Sequence, residues 1–241
     1  MDILIEPACS SETRKLRRQF KYALKLVRNL RDFQTQEKIL QQKLKPTELP
    51  ELKSWLKTSR KTEQRKIRGP LNEVPVNRQG RKILAIGETL VRMSENAQLE
   101  KKMRGKLEQI LLSRFEAFET CAQQARAAVP DTLHKARIAF KKYRYTWDSL
   151  EPFFPRSENM DINLKSIQNF LGDIQDGVVL NTLLFKFLVD QKNSCPDLNF
   201  RRFLRNCEEQ QEECGRDFEA RRKHLIRSVH PGAAFTRQKA A

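Results

Sequence analysis

The sequence predicts an all-α protein, and three observations carry that reading. Eight Gly and ten Pro in 241 residues leave few turn formers and helix breakers, while Leu, Lys, Arg, Glu and Gln, which helices tolerate best, are abundant. Apolar residues recur every three to four positions through long segments. Prolines and glycines collect between those segments and mark their ends.

The elements follow in order. Leu16, Phe20, Ala23, Val27 and Leu30 share one helical face, so a first helix runs from Ser11 to about Leu44, with Ser11 or Thr13 available as N-cap and Pro46 and Pro50 ending it. A strongly basic second helix is predicted from Leu49 to Ile67, offering Leu52, Trp55 and Leu56 for burial. The stretch RGPLNEVPVNRQGRK, residues 68–82, reads as a connection, and a shorter helix follows over 83–94. Leu99, Met103, Leu107, Ile110, Leu111, Phe118 and then Cys121 or Ala122 place one long helix over 97–128. Pro130 breaks it. Asp131 or Thr132 then caps a helix to about Leu150, stopped by Pro152 and Pro155. Another helix spans 161–192, and Phe200, Phe203, Leu204, Cys207, Cys214, Phe218, Leu225 and Val229 mark the last one. Residues 12–94 form a first half, 97–230 a second, and 231–241 a disordered tail.

Charge narrows the function. Forty-seven Lys and Arg against 30 Asp and Glu give a net charge of +17, and such a surface seeks polyanions: nucleic acid, inorganic polyphosphate, an anionic membrane or an acidic protein. The five cysteines, Cys9, Cys121, Cys195, Cys207 and Cys214, are odd in number and contain no CxxC pair. That pattern argues against a disulfide framework or a structural zinc site and for the free thiols of a cytosolic protein. No metal and no cofactor is expected. No apolar run approaches the length needed to span a bilayer, and the N-terminal MDILIEPACSSETRK lacks the basic start and long apolar stretch of a signal peptide, so a cytoplasmic location is expected.

The positive charge is concentrated on two helices. In LHKARIAFKKYRYTWDSLEPFFP, residues 133–155, His134, Arg137, Lys141 and Arg144 collect on one arc beside the apolar arc of Ala136, Ala139, Phe140, Tyr143, Trp147 and Leu150, and Lys142 adds to the charge. No acid stands at i+4 to these cations until Asp148, so the arc forgoes the ion pairs that support an ordinary exposed face. Arginine's planar donor fork suits phosphate. His134 also stands in the first turn, where free N–H groups favour an anion. In the first helix Arg14, Arg17, Arg18, Lys21, Lys25 and Arg28 form a single stripe about 21 Å long, enough to track several successive phosphates. Asp32 lies in line with that stripe, one turn after Arg28, where it could hold the guanidinium.

The chain also repeats itself. At an offset of 144, residues 26–40 overlie 170–184, matching Leu30 with Ile174, Asp32 with Asp176, Ile39 with Leu183 and Leu40 with Leu184. The run from Leu133 to Pro155, followed by LKSIQNFLGDIQDGVVLNTLL, resembles the second half of the conserved-histidine α-helical domain, CHAD. His134, Arg137, Lys141, Lys142, Arg144, Tyr145, Gly172 and Asp176 fall on its pattern, and Arg31 with Asp32 resembles the Arg-Asp element of its first half. The resemblance covers about residues 12–230. It implies two antiparallel helical bundles related by a pseudo-two-fold axis, a basic channel between them, and binding of inorganic polyphosphate; Asp32 and Asp176 are read from their places on the helices as residues that position arginines.

Only MDILIEPACSS precedes the Arg-Asp helix, too little for the His-and-Arg helix that opens the family's first half, so the first bundle is expected to be incomplete. The apolar arc of residues 16–30 then needs cover, from the 49–67 or 83–94 helix or from a second chain in a homodimer. Non-catalytic polyphosphate binding, including association with polyphosphate granules, is the leading expectation. Nucleic-acid binding ranks second, because the same charges neutralise its phosphates while little in the sequence reads bases. A polyphosphate-metabolising enzyme ranks third, since only Asp32 and Asp176 offer carboxylates on suitable faces.

Overall fold

The computed structural model describes residues 11–45, 47–73, 97–151, 153–191 and 197–232. Among these the regular structure is helical, as the sequence predicts: α1 Ser11–Lys43, α2 Pro50–Asn72, α3 Ala97–Gln124, α4 Pro130–Leu150, α5 Glu158–Asp190 and α6 Leu198–Ser228. The helix expected over 83–94 lies outside the described residues. So do residues 233–241 of the expected tail, whereas its first part is packed: Pro231 is buried.

Several helix ends follow directly from local chemistry. Ser157 caps α5, its Oγ accepting from the Met160 N–H at 3.3 Å, and Asp197 caps α6, its Oδ1 accepting from the Phe200 N–H at 2.7 Å. Several boundaries differ from expectation, among them the start of α5, at Glu158 rather than 161. Helix α2 runs past Ile67 to Asn72 with Pro70 inside it, so the first part of the expected 68–82 connection is helical. Pro70 stands in the last turn, where its missing N–H costs one bond and interrupts nothing further. Helix α4 begins at Pro130 itself, with Val129 at the N-cap and no side-chain cap, so neither Asp131 nor Thr132 takes that role. Proline suits the first helical position because the N–H it lacks would have no partner there.

Thr132 is committed instead to the turn between α3 and α4. Its Oγ1 accepts from the Arg126 N–H at 2.8 Å and donates to the Val129 carbonyl at 2.7 Å. Helix α3 accordingly ends at Gln124 rather than near Ala128.

The chain packs as two compact units, Met1–Glu100 with Phe185–Phe200 and Lys101–Leu184 with Arg201–Ala241. Residues 185–200, which chain order alone groups with the second half, therefore belong to unit 1. In unit 1, α1 and α2 form a hairpin: the Asn29 amide donates to Glu63 at 3.5 Å, and Arg60 pairs with Glu37 at 3.0 Å. Lys66, 2.8 Å from Glu63, holds that carboxyl below its usual pKa, aided by Asn29. Phe33, Trp55, Phe187 and Phe200 build the core, with successive ring centroids 6.2, 5.6 and 5.3 Å apart. The Trp55 indole N–H donates to Asp190 at 3.0 Å. Leu16 is buried, whereas Phe20, Val27 and Leu30 are only half-buried, so the pairing of α2 with α1 covers the 16–30 arc in part.

Unit 2 is organised around an aromatic ladder. Phe115 packs on Tyr143 at 5.5 Å, Phe118 on Phe140 at 4.9 Å and Tyr143 on Trp147 at 5.5 Å. The Tyr143 hydroxyl donates to the Val229 carbonyl at 2.6 Å, and the His230 ring packs 4.8 Å from Phe115, which fixes the end of α6 against α3 and α4. Burial holds the Tyr143 phenol well above its ordinary pKa, with Arg156 opposing that shift. A phenol raised above its unfolded value of about 10 contributes stability that is intact below that pH and is lost as pH rises beyond it. Unfolding stability is therefore expected to fall above about pH 10 by roughly 1.4 kcal/mol per pH unit from this group alone. Tyr143→Phe should remove that component of the slope while lowering stability by about 1–3 kcal/mol at neutral pH, because the buried Val229 carbonyl loses its donor. Denaturant melts of both proteins across pH 8–11 check this.

Candidate functional site

Helix α4 is held at both ends. At its start, the turn at 125–129 docks on α6: the Ala127 N–H donates to Glu219 Oε1, and Arg222 donates to the Ala125 carbonyl at 3.1 Å. Gly215 permits this approach, since a Cβ there would stand 3.0 Å from that of Ala127. At its end, the Trp147 indole N–H donates to the Phe154 carbonyl at 3.0 Å. Leu133, Ala136, Phe140, Tyr143, Thr146, Trp147 and Leu150 are buried, which fixes the rotation of the helix and turns the basic arc outward.

On that arc His134, Arg137, Lys141 and Arg144 lie within about 80° of one another around the axis. His134 is exposed, and Arg137, Lys141 and Arg144 are half-buried, as expected of long side chains whose aliphatic stems cover apolar surface. Lys142, about 100° round from Lys141, is exposed on the flank. Among the described residues Arg137, Lys141 and Lys142 are in no ion pair. Arg144 has one long contact, 3.7 Å from Asp148 Oδ2.

The carboxylates near the arc are occupied elsewhere. Arg156, whose side chain is 7% exposed, lies 2.6 Å from Asp148, 3.2 Å from Glu151 and 2.8 Å from Asp161, with its guanidinium 6.0 Å from the Trp147 ring centre. It holds Asp148 Oδ1 at 2.6 Å, which leaves Arg144 only the longer 3.7 Å contact to Oδ2.

Two further groups stand at the arc: Gln175, which the sequence reading did not single out, and Tyr145, which it placed on the family pattern without a role. Gln175 of α5 accepts through Oε1 the Nδ1–H of His134. Tyr145 is half-exposed with the Lys141 ammonium 5.6 Å from its ring centre, so this aromatic stands on the charged side and not on the apolar arc. Tyr145 follows from helical spacing, four residues after Lys141, whereas the histidine partner does not, being 41 residues away in sequence.

The stripe predicted on α1 is present in unit 1, where Arg14, Arg17, Arg18, Lys21, Lys25 and Arg28 are all exposed. Arg17 is engaged by a neighbouring group. Asp32 on α1 and Asp176 on α5 are half-buried, and each has an interaction partner. Among the described residues no group of three or more His, Cys, Asp or Glu side chains is placed to hold a metal ion. No helix among them is long and apolar enough to cross a membrane.

Comparison with known proteins adds one finding. Neither a search of curated proteins nor one of solved structures returns a match. The family model described as CHAD domain matches residues 3–184, from the N-terminal segment through most of α5. The match includes both basic helices and the Gly172-to-Asp176 element, and it stops before α6. A match over most of the chain, together with the all-helical structure, places this protein in the CHAD family.

Proposed function

We propose that this protein binds inorganic polyphosphate, without chemical turnover, through the basic arc of α4, with the α1 stripe as a further basic surface. The observation that supports this is the uncompensated charge on α4: Arg137, Lys141 and Lys142 pair with no acid among the described residues, although Asp148 and Glu151 stand on or beside the same helix. Clustered cations repel, and leaving them unpaired costs stability that an anionic ligand returns. Phosphoryl transfer would call for carboxylates gathered at the phosphates. Here Asp148 is instead engaged by Arg156 and Arg144.

The test is calorimetric binding of short- and long-chain polyphosphate at several salt concentrations, with a mixed-sequence DNA duplex as competitor. With about four phosphate contacts, affinity should fall as roughly the third power of salt or more steeply, so each doubling of salt weakens binding about tenfold. Affinity indifferent to salt overturns the proposal. Displacement of polyphosphate by the duplex at equal phosphate concentration favours a nucleic-acid function instead.

A further inference from the structure

The α4 arc faces no empty helix at its His134 end: α5 stands against it, and two α5 residues there have properties that the packing of unit 2 does not require. Gln175 is the first. Its side-chain oxygen takes the Nδ1–H of His134, an exposed residue, so the bond fixes which ring nitrogen remains for another partner. Once Nδ1–H is committed, Nε2 is the nitrogen left to the outside, and in the imidazolium it carries the one N–H that a phosphate oxygen can accept.

Gly172 is the second. It lies three residues before Gln175, and residues three apart share a helix face. A glycine inside a helix is unfavourable relative to alanine. Yet no atom of a neighbouring element comes within 4 Å of where its Cβ would stand, so close packing does not account for it. Gly215, by contrast, has such a reason in Ala127. Gly69 in α2 and Gly105 in α3 have the same open space around them; Gly172 differs in standing about one turn before Gln175, the residue that holds His134.

Resting on the polyphosphate reading above, we infer that α5 forms the second wall of the phosphate site in this unit: Gln175 is a positioning residue that presents Nε2 of His134 to the ligand, and Gly172 leaves the volume that phosphate oxygens occupy. The inference concerns one phosphate group beside His134, whichever chain length carries it.

The experiment uses the full chain and its Gln175→Leu, Gly172→Ala and Gly172→Leu variants, with tripolyphosphate as probe. Nitrogen-15 NMR of the neutral His134 ring should show the Nδ1–H tautomer in the parent. In Gln175→Leu it should revert to the Nε2–H tautomer common for histidine in water, and affinity should fall about tenfold, the loss expected for one charge-assisted hydrogen bond. Gly172→Ala should raise Tm by about 2–4 °C while weakening binding, opposite signs that a purely structural glycine would not give. Gly172→Leu should weaken binding further, and if it fails to fold, the alanine variant decides alone. Unchanged affinity in Gln175→Leu or in a folded, stabilised Gly172→Ala overturns the inference and leaves polyphosphate binding standing. An unchanged tautomer in Gln175→Leu overturns the positioning role. A parent protein that binds neither tripolyphosphate nor long-chain polyphosphate overturns both readings together.

Discussion

Glutamate at both Arg137 and Lys141 is expected to lower polyphosphate affinity by about a hundredfold to ten-thousandfold, from two lost charge-assisted hydrogen bonds of about 1.5–3 kcal/mol each. The added negative charges push the loss toward the upper end. The fold should survive, because neither residue pairs with an acid among the described residues and both sit on the outward arc of α4. Removing two like charges from that arc should even relieve some repulsion. Circular dichroism and thermal melts establish that the variant is folded, and calorimetry then reads the binding. The companion variant reverses Lys21 and Lys25 on α1; Arg17 is left alone because it is engaged by a neighbour. If the Arg137 and Lys141 variant binds like the parent, α4 is not the site. A loss confined to the Lys21 and Lys25 variant would move the site to the α1 stripe.

The largest stability effect is expected at Trp147. This residue is fully buried, its indole N–H satisfies the Phe154 carbonyl, and its ring lies against Tyr143 on one side and the Arg156 guanidinium on another. Trp147→Ala should cost about 3–5 kcal/mol through lost burial and the cavity left behind. Against a typical total of about 5–15 kcal/mol, that is a substantial fraction. It corresponds to a fall in Tm of roughly 6–20 °C. Trp147→Phe keeps most of the ring and drops the donor, so its cost should be nearer 1–3 kcal/mol. Denaturant unfolding of both variants checks the ordering. Equal, small costs would show that the ladder in unit 2 does not depend on this residue. Because Arg156 rests on the Trp147 ring while holding Asp148, Trp147→Ala should also loosen that pair and let Asp148 tighten its existing 3.7 Å contact with Arg144, weakening phosphate binding in whatever fraction remains folded.

Much of this was legible in the residues themselves. The helical course of the chain, the outward turn of His134, Arg137, Lys141 and Arg144, and the inward turn of Phe140, Tyr143 and Trp147 follow from spacing along a single helix, and spacing is a local property that one strand of sequence contains in full. The boundaries at Pro70 and Pro130 were less legible, because a proline's effect depends on whether it falls in the first turn, the interior or the last turn, which residue type alone does not state.

What only the tertiary structure decided are the pairings between distant segments. Gln175 reaching His134, Arg156 sharing Asp148 with Arg144, Glu219 and Arg222 holding the turn before α4, and residues 185–200 joining unit 1 all depend on which segment lies beside which. Periodicity tells a helix which face to bury and is silent on its neighbour, since any apolar stripe of similar width would cover it. The polar contacts are then chosen by atomic distance across that neighbour, and that distance exists only once the helices have packed.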